Sequence, residues 1–68
     1  MRSIKEASIN QLLYKQVHFK CDCVIPMDFI GYVRECEIYN NEILFLVEYN
    51  GKIIKIGNNH PNMYIEVL

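Results

Sequence analysis

The chain has 68 residues, which is room for one domain and no second core. Its 51% hydrophobic and 22% charged content, with few Gly and Pro, is that of a folded protein and argues against disorder. Net charge is −1, and the seven basic residues are scattered as Arg2, Lys5, Lys15, Lys20, Arg34, Lys52 and Lys55. Nucleic-acid binding runs on Lys and Arg neutralising phosphates, so this balance disfavours such a partner.

The first sixteen residues read as helical. Ser3-Ile4-Lys5-Glu6 and Ser8-Ile9-Asn10-Gln11 both fit a capping box, and Ile9, Leu12 and Leu13 follow at helical spacing. One short amphipathic helix ending near Lys15 is expected, opened by either box. Met1 to Glu6 carries both charge signs and lacks the apolar region of a signal peptide. No apolar stretch approaches the ~20 residues of a membrane-spanning helix. The expected location is the cytoplasm, with no membrane partner and with reduced cysteines.

From Val17 the period changes to two. Val17, Phe19, Cys21, Cys23 and Ile25 alternate with His18, Lys20 and Asp22, a half-buried strand that Pro26-Met27-Asp28 breaks. A second strand is expected from about Phe29 to Tyr39, a third over Glu42–Tyr49, a fourth over Lys52–Ile56 and a last over Met63–Leu68. Asn40-Asn41 and Asn50-Gly51 close two-residue hairpins, because these residues accept the positive φ of a type I′ turn. Those turns pair Tyr49 with Lys52, Val47 with Ile54, Phe45 with Ile56, Ile38 with Ile43 and Cys36 with Phe45. Cys36, Ile38, Ile43, Phe45, Val47, Ile54 and Ile56 then share one face, so two independent turns agree. Strict alternation would turn Val33 outward, and a β-bulge at Arg34-Glu35 returns it to the core.

This order of elements resembles an SH3-like small β-barrel, and its Sm-like branch, which also begins with a helix. The likeness rests on Gly31-Tyr32-Val33, on Asn50-Gly51-Lys52 and on the final Met63 to Leu68 strand. It implies a mostly β, five-stranded barrel over residues 17–68, preceded by the helical segment 1–16, in a single domain 1–68. The chain departs from both branches. Asn40 and Asn41 serve as turn residues rather than as an Sm-type RNA-binding pair, and with no Trp the proline-binding set of signalling SH3 domains is absent. Such barrels host many binding functions, so the fold does not choose one.

The opposite sheet face carries Leu44, Leu46 and Ile53 beside Glu35, Glu37, Glu48 and Lys55. Three apolar residues should not face water together, so either the N-terminal helix or a partner covers them. An acidic surface around leucines suits a basic protein patch, with charge steering the encounter and apolar contact holding it. The expected function is therefore a non-enzymatic protein-binding module acting through Glu35, Glu37, Leu44, Leu46, Glu48 and Ile53, with no cofactor. Heavy use of Ile, Asn, Lys, Glu and Tyr associates the chain with AT-rich genomes, and hence with a phage or mobile-element modulator or inhibitor of a host or defence protein.

Two alternatives stand beside it. An Sm-like or SH3-like nucleic-acid binder needs Lys15, Lys20, Arg34, Lys52 and Lys55 to converge, with Tyr32, Tyr39, Tyr49 and Tyr64 stacking on bases. A metal or redox site needs Cys21, Cys23 and Cys36 together. Cys21-x-Cys23 is closer than most zinc-ligand pairs, and the plainer reading is three small core hydrophobes. His18 and His60 read as solvated surface histidines, and the acidic residues as a solvated face rather than a catalytic pair.

Overall fold

The two hairpin turns have the backbone their residues were chosen to accept. In the computed structural model, which describes residues 1–68, φ is 51° at Asn40, 62° at Asn41, 51° at Asn50 and 74° at Gly51. The strands they join are β3 (Met27–Tyr39), β4 (Glu42–Tyr49) and β5 (Lys52–Gly57). The other elements are β1 (Arg2–Ser3), a 3₁₀ turn (Ile4–Glu6), α1 (Ile9–Leu12), β2 (Gln16–Cys21) and β6 (Met63–Val67). All five expected cross-strand pairs occur. The β3–β4 register slips between Val33 and Glu35, so Val33 faces inward opposite Val47. Phase conflict in the sequence was thus a sound sign of the bulge.

The six strands form one antiparallel sheet in the order β1-β6-β2-β3-β4-β5. This corrects the five-stranded closed barrel, because the sheet has six strands and stays open. Closure needs a free edge on β6 to meet β5, and Arg2–Ser3 already occupies that edge through Arg2↔Ile65 and Ser3↔Tyr64. β5 is left as an edge strand. Lys52 and Lys55 lie on it, and charged residues of this kind discourage strand addition.

The N-terminal segment also differs from one helix. Each capping sequence opens its own short element. Ser3 Oγ accepts from Lys5 N (3.3 Å) at the 3₁₀ turn, and Gln11 Oε1 accepts from Ser8 N (3.1 Å) at α1. Leu13 caps α1, and Tyr14 enters the left-handed region at φ 63°. There the chain joins the sheet: Tyr14 N donates to Val33 O (2.8 Å), and Val33 N donates to Lys15 O (3.0 Å).

Ile4, Ala7 and Leu12 enter the same core cluster as Val17, Phe19, Val33, Phe45, Val47, Ile56 and Ile65. The helical segment therefore covers the inner face of the sheet, and Leu44, Leu46 and Ile53 receive no cover from it. Gly31 is buried on that inner face opposite Val17. A Cβ there would collide with Val47 Cγ1 and come within 3.3 Å of Glu48 O, so close approach of β3 and β4 requires the missing side chain. No helix is long and apolar enough to cross a membrane.

Candidate functional site

Two groups of side chains stand apart from the core: the outer face of β3–β5, and a sulfur–imidazole cluster at the end of β2.

On the outer face, register fixes three rows. Gln16, Tyr32, Glu48 and Ile53 form one, Glu35, Leu46 and Lys55 the next, and Glu37, Leu44 and Gly57 the third. All six expected partner-facing residues, Glu35, Glu37, Leu44, Leu46, Glu48 and Ile53, thus share one surface. Leu44 and Leu46 are half-buried, sheltered by their longer neighbours, while Ile53 is 48% and Ile30 52% exposed. A shallow hollow of about 230 Å³ opens there, lined by Arg34, Glu35, Leu46 and Ile53. Arg34 Nη1 donates to Glu48 Oε2 (2.9 Å), which neutralises one glutamate, whereas Glu35 and Glu37 have no ion-pair partner.

The basic residues do not converge. Lys20 and Lys55 lie on β2 and β5 with β3 and β4 between them, Lys52 pairs with Tyr49 on the inner side, and Arg34 is held by Glu48. The tyrosines divide too. Tyr49 packs against Phe29, ring centroids 5.0 Å apart, while Tyr32 sits in the outer rows.

The expected cysteine trio separates. Cys36 pairs with Phe45 near the far end of β3, while Cys21 faces Met27 at its start. Cys36 is half-buried against the core, and burial pushes its thiol pKa up. Cys21 is a core residue and Cys23 and Cys36 pack against the core, as small hydrophobes do; the Cys21 and Cys23 sulfurs are in contact, with Cα atoms 5.4 Å apart. Their third neighbour is His60, whose Nε2 lies 3.9 Å from Cys21 Sγ and 3.8 Å from Cys23 Sγ.

The backbone builds this cluster. Asp22 N donates to Asn62 O (3.0 Å) just beyond the last β2–β6 pair, Cys21↔Met63. That bond ends the strand and draws Cys23 toward the loop carrying His60. Strand β2 therefore stops at Cys21, and Ile25, expected inside, is 78% exposed beside Val24 at the tip of the bend. Asn62 N donates to His60 Nδ1 (3.4 Å). A neutral ring accepting at Nδ1 carries its proton on Nε2, toward the sulfurs. His60 is thus half-buried rather than a solvated surface residue. Nothing local in the sequence announced it, because 37 residues separate it from Cys23.

His18 also has a partner that spacing concealed. Its Nε2 contacts Asp28 Oδ1 on the outer face, across the β2–β3 pair. The pair is exposed, with Lys20 opposite Asp28 and Glu66 opposite His18 in the register. A larger hollow, about 430 Å³, lies elsewhere, between the N-terminal segment and β6, lined in part by Arg2, Glu6, Lys15 and Glu66.

No protein-family model matches the chain, and no curated protein or solved structure matches it.

Proposed function

We propose that the protein is a non-enzymatic protein-binding module that docks through the outer face of β3–β5. Support comes from one observation: Leu46 and Ile53 floor a shallow hollow that no other part of the chain covers, with Glu35 and Glu37 unpaired on the same face. A hollow of this kind takes an apolar anchor from a partner, and excluding water around such an anchor is what concentrates binding energy. Unpaired glutamates favour a partner whose anchor is ringed by Lys or Arg and raise its encounter rate at low salt. Modulation or inhibition of a host or defence protein is the role this reading assigns, since a small module that docks through one face acts by occupying a surface.

The test is site-specific photocrosslinking in cells from position 53, followed by binding measurements with the purified captured protein. Leu46→Asp should weaken binding at least about tenfold while leaving Tm within a few degrees, and added salt should slow association. Unchanged affinity in Leu46→Asp, or equal capture from the exposed position 14, which does not line the hollow, would overturn the reading.

A further inference from the structure

We propose that Cys21, Cys23 and His60 form a chelate for one thiophilic d¹⁰ metal ion, with Cu⁺ a better fit than Zn²⁺. The three donor atoms lie within 4.8 Å of one another. Metal–sulfur bonds of about 2.3 Å and metal–nitrogen bonds of about 2.05 Å separate S and N by about 3.6 Å at a tetrahedral centre and about 3.8 Å at a trigonal one. The two Sγ–Nε2 distances, 3.9 and 3.8 Å, match the trigonal value. The two sulfurs lie too close together to share an ion, so they must part to about 4 Å, and both sulfur–nitrogen distances adjust as they do.

The surroundings are soft as well. Cys21 has Met27 as its register partner on β3 and Met63 on β6, so two thioethers flank it on the same face of the sheet. Thiolate and thioether donors with low coordination number favour Cu⁺ over harder ions. Neither carboxylates nor further imidazoles join the donor group, which disfavours the oxygen-seeking divalent ions.

Loading starts from the dithiol. Each thiol releases its proton to solvent as its sulfur takes the metal. Binding through Nε2 also moves the His60 proton to Nδ1, which displaces the long 3.4 Å contact from Asn62 N. The ion would bridge the β2 end to the β5–β6 loop and stiffen the exposed Val24-Ile25 bend that follows Cys23.

The full chain, reduced with a thiol that is then removed by gel filtration without oxygen, is titrated with Cu⁺ against a chromophoric Cu⁺ chelator and separately with Zn²⁺ against a zinc indicator. Expected is one ion per chain, with Cu⁺ bound more tightly. Cys23→Ser and His60→Ala should each weaken binding at least about tenfold, and Cys36→Ser should leave it unchanged. Long-range ¹H–¹⁵N spectra should show the His60 proton passing from Nε2 to Nδ1 on loading. Cys23 and His60 are only partly buried, so their variants keep the test open even where Cys21→Ser fails to fold. Absence of 1:1 binding of either ion, equal loss in Cys36→Ser, or a His60 tautomer unmoved by saturating metal would each overturn the proposal.

Discussion

Asp22 N donates to Asn62 O at 3.0 Å, and this bond ties the chain leaving β2 to the loop entering β6. It lies one residue past the final strand pair and one residue before Cys23, so it both ends the ladder and sets the sulfur beside the ring. In native-state hydrogen exchange, the Asp22 amide should be protected and the amides of Val24 and Ile25 should exchange freely, since open bends lacking hydrogen bonds sit at the low-stability end of a fold. An Asp22 amide that exchanges as fast as Val24 would remove the structural basis of the cluster.

Gly31→Ala should destabilise the protein by about 1–3 kcal/mol, the usual cost of overpacking a buried site. The added methyl meets Val47 Cγ1 and the backbone oxygen of Glu48, and the second cannot rotate away. A domain of this size loses roughly 4–8 °C of Tm per kcal/mol, which calorimetry resolves easily. Val47→Ala in the same background should return part of the loss by making room. A Gly31→Ala protein as stable as the parent would contradict the close approach of β3 and β4.

The parts of this fold that could be read in advance are those encoded locally. Asn40-Asn41 and Asn50-Gly51 carry their own backbone preference, and each fixes the parity of two strands at once. The outer rows of Glu35, Leu44, Leu46, Glu48 and Ile53 follow from that parity alone. Arg2–Ser3 could not be read, because two residues hold no period and their extended state depends on β6 being nearby. The side on which the N-terminal segment packs was equally hidden, since Ile4 and Leu12 suit either face of a sheet. Ile25 misled because alternation continued past the point where Asp22 turns to Asn62. Cys21 and Cys23 were visible as a pair, but His60 comes to them only through the tertiary fold, and Cys36 was a false third member.

Tyr14→Gly should raise stability by about 0.5–1 kcal/mol. Tyr14 is 67% exposed and holds φ at 63°, a region that costs a side-chain-bearing residue roughly 1–2 kcal/mol. Glycine takes that conformation freely, and little packing is lost with so exposed a ring. The hydrogen bond from residue 14 N to Val33 O uses the backbone and survives the change. Chemical unfolding at matched protein concentration checks this, and a clear loss of stability would show that the ring contributes contacts here.

Cys36 should make the protein less stable at alkaline pH. Burial raises its thiol pKa in the folded state above the unfolded value, so the folded chain holds a proton that the unfolded chain releases. The contribution is fully present below the unfolded pKa and is lost as pH rises through the folded one. Comparing urea midpoints of the parent and Cys36→Ala from about pH 8 to about pH 10.5 isolates it from the tyrosines, which both proteins share. The difference between them should move against the parent as pH rises. A constant difference would mean that the thiol titrates alike in both states. Slow alkylation of Cys36 in the folded protein should accompany it, because the thiolate is the reactive form.

Deletion of Arg34 should be tolerated far better than deletion of Glu37. Val33 faces Val47 and Glu35 faces Leu46, so Arg34 is the extra residue of the bulge. Removing it joins an inward Val33 directly to an outward Glu35 and restores plain alternation, with Cys36 and Ile38 still on the core face. What is lost is the ion pair with Glu48 and some local twist. The pair is exposed, and such pairs contribute roughly 0–1 kcal/mol. Deleting Glu37 offers no such repair. Cys36 would then abut Ile38, so one of them must turn outward, or the Asn40-Asn41 turn must shift its register against β4. Amide spectra and urea midpoints of the two deletions separate the cases. The protein lacking Arg34 should keep dispersed spectra and the Phe45–Ile56 and Val47–Ile54 contacts, while the protein lacking Glu37 should lose several kcal/mol or fail to fold. Equal damage from both deletions would place the irregularity somewhere other than Arg34.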